Sequence, residues 1–269
     1  YFPVRAEPLR MQPGLFRFRT DVGNADADQR FLPRDAGTPR YLAQKARVLA
    51  DFPTRDASVV ASEADERALS AAAGWFAQRL AQEGHAVAAR TPLERLGREL
   101  VEDFVILRRD AEGADRALKV HVCFPSGWRP EHVLGQGFAQ IHARIPAIDA
   151  VLQKSRSLVD AMIERGPYVR FVWTVTADDE LDHHPEQGRR VAWAADTARG
   201  FLRVERQVTV PLPAASASVF LIRTYLYGFD ELAGVERATL ARALSLLPPE
   251  ILRYKRLEDA VPRALELLR

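Results

Sequence analysis

The sequence predicts an α+β fold: a five-stranded antiparallel sheet with a helical insert, flanked by N- and C-terminal helices. Three observations predict it. Apolar residues recur at helical spacing before residue 100 and again after residue 230. Five runs between those regions alternate with a period of two, as half-buried strands do. The first two runs are separated from the last three by a stretch that returns to helical spacing. At 269 residues, 47% of them hydrophobic, the chain is long enough to close one core of this kind. No repeat of 20 to 50 residues and no linker-like stretch divides it. A single domain over residues 1–269 is expected, with an arm and helices over 1–100, the sheet core over 101–228 and C-terminal helices over 229–269.

Residues 1–37 mix Pro, Gly, Asp and Arg with short apolar pairs and read as an irregular arm. Thr38-Pro39 opens a helix that runs through Ala50. Ser62 followed by Asp65 makes a capping box, and Leu69, Ala72, Ala73, Phe76 and Leu80 then recur at helical spacing up to the stop at Gly84. A third helix starts at Pro92 and ends near Leu100. Asp103 to Arg109 and Leu118 to Phe124 read as a hairpin around the turn-rich Asp110 to Asp115. Pro130 to His142 is helical with interruptions at Gly135 and Gly137, and a long helix from Ala147 to Arg165 closes on Gly166-Pro167. Strands follow at Tyr168 to Thr176, Phe201 to Val210 and Ser218 to Tyr227. The tail from Leu232 is helical, broken at Pro248-Pro249 and at Pro262. Two strands, a helical insert and three strands is the element order of the PAS fold, in which sheet and helices enclose a ligand cavity.

Composition excludes several function classes. The 38 basic and 36 acidic side chains nearly cancel, so no field of one sign recruits nucleic acid or an anionic membrane. One cysteine, Cys123, rules out an intrachain disulfide framework and any multi-Cys metal cage. No apolar run approaches the roughly 18 residues of a membrane span, and a reducing, cytoplasmic location is expected. Gly135-Gln136-Gly137 begins like a dinucleotide fingerprint but lacks its third glycine and its strand-to-helix setting. Neither a phosphate-binding loop ending in Lys-Ser/Thr nor a Gly-x-Ser-x-Gly elbow occurs.

Among candidate ligands, Asp182 to Glu186 contains His183 and His184 but reads as a polar loop in which neighbouring imidazoles point apart. His121 and Cys123 share a strand face and read first as structural; Cys123 is the reserve thiolate ligand for a haem iron. His142 stands at i+4 from Phe138 and i+8 from Leu134, on the apolar stripe of its helix, where a satisfied core histidine is the commoner reading. Arg206 shares a strand face with Leu202, Val204, Val208 and Val210 and requires an anion, either Glu102 or Asp103 or a ligand carboxylate. Leu221, Arg223, Tyr225 and Tyr227 share another face, and Trp173 stands with Phe171 and Val175.

Four ordered blocks carry a family resemblance. Cys123-Phe124-Pro125-Ser126-Gly127-Trp128 with Gly135, Ile141-His142-Ala143-Arg144-Ile145-Pro146, Leu202 to Gln207 running on to Leu212-Pro213, and Phe220-Leu221-Ile222-Arg223-Thr224-Tyr225 resemble the haem-dependent oxidative N-demethylase family. Gly14-Leu15 and the Tyr41 helix agree with it, so the likeness spans roughly residues 10–230. It implies a PAS-like catalytic subunit that uses O2 to oxidise an N-methyl group of a small secondary amine, releasing formaldehyde. The same resemblance implies electrons from separate flavin and iron–sulfur reductase subunits using NADPH. The haem would be b-type, since the Cys-x-x-Cys-His attachment motif is absent. It further implies His142 as the iron ligand and Phe138, Trp173, Arg206 and Arg223 as haem contacts. Arg206, Arg223 and Tyr225 would serve as donors on the reacting side, with Glu205, Trp173 or Tyr225 as partners of the amine. Gly127, Gln140 and Ala214 to Ala217 depart from the family pattern, which bears on the amine accepted. A haem- or small-molecule-binding sensor without turnover, or a haem-free scaffold, are the competing classes; the lack of an output module favours the enzyme. Oligomeric state is left open.

Overall fold

The computed structural model describes residues 1–8, 13–85 and 91–269. In the arm lie β1 (Phe16–Arg17) and α1 (Asp26–Gln29), followed by α2 (Thr38–Asp51), β2 (Asp56–Ser58), α3 (Glu63–Gln82) and α4 (Leu93–Glu99). The hairpin is β3 (Asp103–Arg109) and β4 (Asp115–His121), and the insert carries α5 (Phe138–His142), α6 (Asp149–Leu152) and α7 (Ser155–Glu164). Then come β5 (Tyr168–Thr176), β6 (Phe201–Leu212), β7 (Ala217–Gly228), α8 (Gly234–Ser245), α9 (Pro249–Lys255) and α10 (Ala260–Leu267).

Among the described residues the strands form one sheet in the order β1-β5-β6-β7-β3-β4-β2, with every ladder antiparallel. The α+β class holds, but the sheet has seven strands and not the five of the expected PAS-like sheet. The added strands are edge pieces of two and three residues. Runs that short complete no alternation a sequence reading can register.

Other expectations shift for local reasons. β4 begins at Asp115, three residues before the expected Leu118, because Arg109 pairs with Asp115 directly across a tight turn with Gly113 at φ +88°. Helix from Pro130 to His142 shrinks to a 3-10 turn at Pro130–His132 and the five residues of α5, since Gly135 adopts φ +78°. The expected helix from Ala147 to Arg165 is two helices, α6 and α7, with Ala147 itself left-handed at φ +56°. Pro262 breaks nothing: it lies in the first turn of α10, where its missing N–H would be unpaired anyway. Arg256, at φ 56°, ends α9 instead. Ser62 caps α3 as its spacing requires, accepting from the Asp65 N–H at 3.3 Å.

The sheet is covered on both sides. Val169, Val208, Val210, Val219, Leu221, Phe104 and Ile106 pack on Phe76, Leu80 and Leu96 of α3 and α4, while Val175, Leu202 and Val204 pack on Leu240, Leu244, Ile251 and Ala264 of the C-terminal helices. We call this the terminal face. Leu107, Val105 and Phe220 point the other way, onto Val159, Met162 and Ile163 of α7 and Phe138 and Ile141 of α5, and form the insert face.

Gly97 of α4 lies against the terminal face. A Cβ there would stand 2.7 Å from the imidazole of His121, which is fully buried and stacked on Phe104 with ring centroids 5.0 Å apart. Gly97→Ala should therefore cost about 1–3 kcal/mol in urea denaturation, as overpacking does. Gly74→Ala, with nothing within 4 Å of the added methyl, should be neutral or gain up to about 1 kcal/mol of helix propensity. Equal effects at both positions would contradict this packing.

Candidate functional site

α5 is a single turn fixed to the hairpin. The Phe138 N–H donates to Asp115 Oδ2 at 2.5 Å, and the Gly137 N–H to Gln140 Oε1 at 2.9 Å. A side chain at Gly137 would meet the Asp115 carbonyl at 2.8 Å, so glycine is what allows the approach. This anchoring sets His142 at the end of the turn, half-buried, its ring stacked on Phe138 with centroids 4.2 Å apart. Nδ1 lies 2.7 Å from the Phe138 carbonyl oxygen, which only accepts, so Nδ1 carries the proton. The carbonyl of Phe138, one turn earlier on α5, is therefore the group that fixes the tautomer. Nε2 makes no hydrogen bond with a described residue. Burial lowers the His142 pKa below 6.5 against the opposing pull of the Phe138 carbonyl, and Arg170 lowers it further. The product is a neutral imidazole with its Nε2 lone pair free, the form that ligates a metal.

Register decides what faces it. Cross-strand partners share a side of the sheet, so Arg170 and Gln207, Val172 and Glu205, and Thr174 and Arg203 belong to the insert face with Phe220 and Thr224. Gln207 Nε2 donates to Glu205 Oε2 at 2.9 Å, and Glu205 is only 7% exposed. Arg203 is fully buried and donates to the carbonyls of Leu181 and Phe124 at 3.0 and 2.8 Å, tying the β5–β6 loop to the end of the hairpin. Arg170 stands diagonally across the β5–β6 ladder from Glu205, and its charge lowers the pKa of His142. Lys255 of α9 donates to the Trp173 carbonyl at 2.7 Å; burial lowers its pKa to about 8 while Glu205 opposes the shift.

The same register separates the expected site residues. His142, Phe138 and Glu205 share the insert face; Arg206, Arg223, Tyr225 and Trp173 lie on the terminal face. Arg206 and Arg223 are cross-strand partners there, 2% and 1% exposed. Arg223 pairs with Asp35 at 2.8 Å and stands 3.9 Å from Glu102, whose pKa burial raises. Arg206 has no carboxylate within pairing distance among the described residues; it donates to the Arg30 carbonyl at 2.9 Å and lies over the rings of Tyr1 and Phe18. Asp103, the other carboxylate considered for it, pairs with Lys45 at 3.3 Å. Burial holds the Tyr225 phenol above its ordinary pKa, hence protonated. Trp173 packs with the C-terminal helices.

The remaining candidates have structural partners. Cys123 is fully buried among Tyr41, Val48, Leu49 and Leu181, and burial pushes its thiol well above the ordinary range, away from thiolate. Asp182 to His184 lie in a loop, as their polar run suggests, but buried within the fold. His183 pairs with Asp178 at 2.8 Å, His184 with Glu131 at 3.1 Å and Asp182 with Arg55 at 3.2 Å. Among the described residues no three His, Cys, Asp or Glu side chains come together as a metal cage. No helix there is long and apolar enough to cross a membrane. Sequence reasoning missed Arg170, whose signal was present: it alternates with Phe171 and Trp173, so its guanidinium leaves the apolar side for the insert side.

On the insert face the geometry thus sets the unbonded Nε2 of His142 toward a sheet that presents a buried carboxylate and a guanidinium. A family model described as haem-dependent oxidative N-demethylase, alpha subunit-like, matches residues 38–265. That span covers the hairpin, the insert with His142 and all three strands after it, and the chain belongs to this family.

Proposed function

We propose that this chain is the haem-binding subunit of an oxidative N-demethylase acting on a small secondary amine, with the haem on the insert face and His142 as its iron ligand. The observation that carries this reading is the free, neutral Nε2 of His142, with its tautomer fixed by the Phe138 carbonyl. When bound, the haem supplies the redox chemistry by which O2 oxidises the N-methyl carbon, which leaves as formaldehyde. The electrons come from separate flavin and iron–sulfur reductase subunits using NADPH, which the alpha-subunit-like family description accommodates.

The chain's own residues do the rest. His142 holds and orients the group, and the stacked Phe138 ring limits rotation of the imidazole. Glu205 receives the protonated amine: its carboxylate is 7% exposed, so an ammonium ion there sheds competing water, and Gln207 fixes one of its oxygens. Val172, directly across the ladder, supplies apolar surface beside it. Arg206, Arg223, Tyr225 and Trp173, on the far side, hold the arm and the C-terminal helices against the sheet and keep β6 and β7 in register.

His142→Ala should abolish or weaken haem uptake in a Soret titration, or change the spin state, whereas Cys123→Ser should leave the spectrum unchanged. A red-shifted ferrous carbonyl Soret band that vanishes in Cys123→Ser would reassign the iron to the thiolate. In the haem-free protein, side-chain nitrogen NMR should find His142 protonated at Nδ1 and titrating below its ordinary 6.5. Because the unfolded imidazole takes up its proton first as pH falls, the His142 contribution to stability is complete above 6.5 and is lost below it. A midpoint above 6.5 would refute the buried neutral form. Glu205→Gln should raise KM for the amine about tenfold or more, read by formaldehyde release, with a smaller change in kcat. An unaltered KM would exclude Glu205 as the amine partner.

A further inference from the structure

We infer that Arg170 is the group that binds a propionate carboxylate of the haem; this rests on the placement of the haem proposed above. Arg170 sits on β5 with its side chain on the insert face, cross-strand from Gln207 and beside Glu205. It makes no hydrogen bond and no ion pair within pairing distance to any described residue. The other arginines packed into the sheet are all engaged: Arg203 on carbonyls, Arg206 on the Arg30 carbonyl and two rings, Arg223 on Asp35. Arg108 and Arg116 both reach Asp65, and Arg109 reaches Asp160 and Glu164.

A partly buried guanidinium without an anion is destabilising, and the fork of donors on arginine matches a carboxylate with two parallel hydrogen bonds. Glu205 does not fill that role, since no oxygen of it comes within pairing distance and Gln207 already occupies one of them. A haem held by His142 would bring two carboxylates to the same face. Arg170 therefore fixes the rotation of the macrocycle about the axis of the His142 bond, a positioning role that the histidine alone leaves free.

The test compares haemin with haemin dimethyl ester, whose propionates carry no charge, in Soret titrations of the full chain. Wild type should bind the ester about 10- to 100-fold more weakly than haemin, the loss expected for one charge-assisted carboxylate pair. Arg170→Gln should lose a similar factor toward haemin and little toward the ester, and Arg170→Lys should recover part of it. Arg144→Gln, an exposed charge two residues past α5, should change neither. If Arg170→Gln weakens haemin and ester equally, or weakens neither, the assignment is wrong while the haem site stands. If wild type takes up neither compound, the proposed function itself fails. Should Arg170→Gln fold poorly, Arg170→Lys carries the same comparison.

Discussion

Consecutive residues of a strand cannot reach the same side of a sheet, and Glu205 and Arg206 are consecutive. The rest of the molecule follows from that constraint. Through the ladders of β5, β6 and β7 it commits Glu205, Gln207 and Arg170 to one chamber and Arg206, Arg223 and Tyr225 to the other. A shift of one residue in either ladder would exchange the two sets, carrying Arg206 and Arg223 to the insert face and the valines out of the terminal core. The long ladders of twelve-residue β6 and β7 make such a slip costly, because the Val204, Val208, Leu221 and Val219 core would be lost with it.

Charges packed into this core are managed locally. Burial alone would raise the Asp65 pKa, yet the Ala61 N–H, the Ser62 cap and Arg116 hold it below the usual carboxylate range, with Arg108 at 3.0 Å on its other oxygen. One carboxylate thus ties the start of α3 to both strands of the hairpin. Asp56 does the same for β2, meeting Lys119 at 2.5 Å and His121 at 3.1 Å. Removing one member of such a group leaves its partners charged and dry, which is why α3 and β2 depend on the hairpin and it on them.

Much of this was legible in the sequence. The strands Asp103–Arg109 and Tyr168–Thr176 and the capped α3 announce themselves by period and cap, because each buries one face over several turns or pleats. Alternation likewise sorted Leu202, Val204, Arg206 and Val208 onto one side. What alternation cannot say is which side the insert covers, since that depends on the path of residues 122–167 across the sheet. Hence a sequence reading joins His142 and Arg206 in one site although the sheet stands between them. The helix expected from Ala147 to Arg165 escapes for another reason: Ala147 is left-handed, so α6 starts only at Asp149, and the break at Gln153 and Lys154 carries no Gly or Pro to announce it. His183 and His184 are buried because the main chain of Ser126 and His183 forms a bridge, a long-range contact with no local signature.

The partner of His142 Nδ1 is a backbone carbonyl, where many metal-binding histidines have a carboxylate. A carbonyl carries no net charge and has no affinity for the proton it is offered. The ring is therefore held as imidazole and never drawn toward imidazolate, so it donates less electron density through Nε2 than a carboxylate-paired ring does. Were an iron held at Nε2 as proposed, this would tilt its balance toward the ferrous state and make the Phe138 main-chain oxygen one determinant of how readily an electron donor could reduce it.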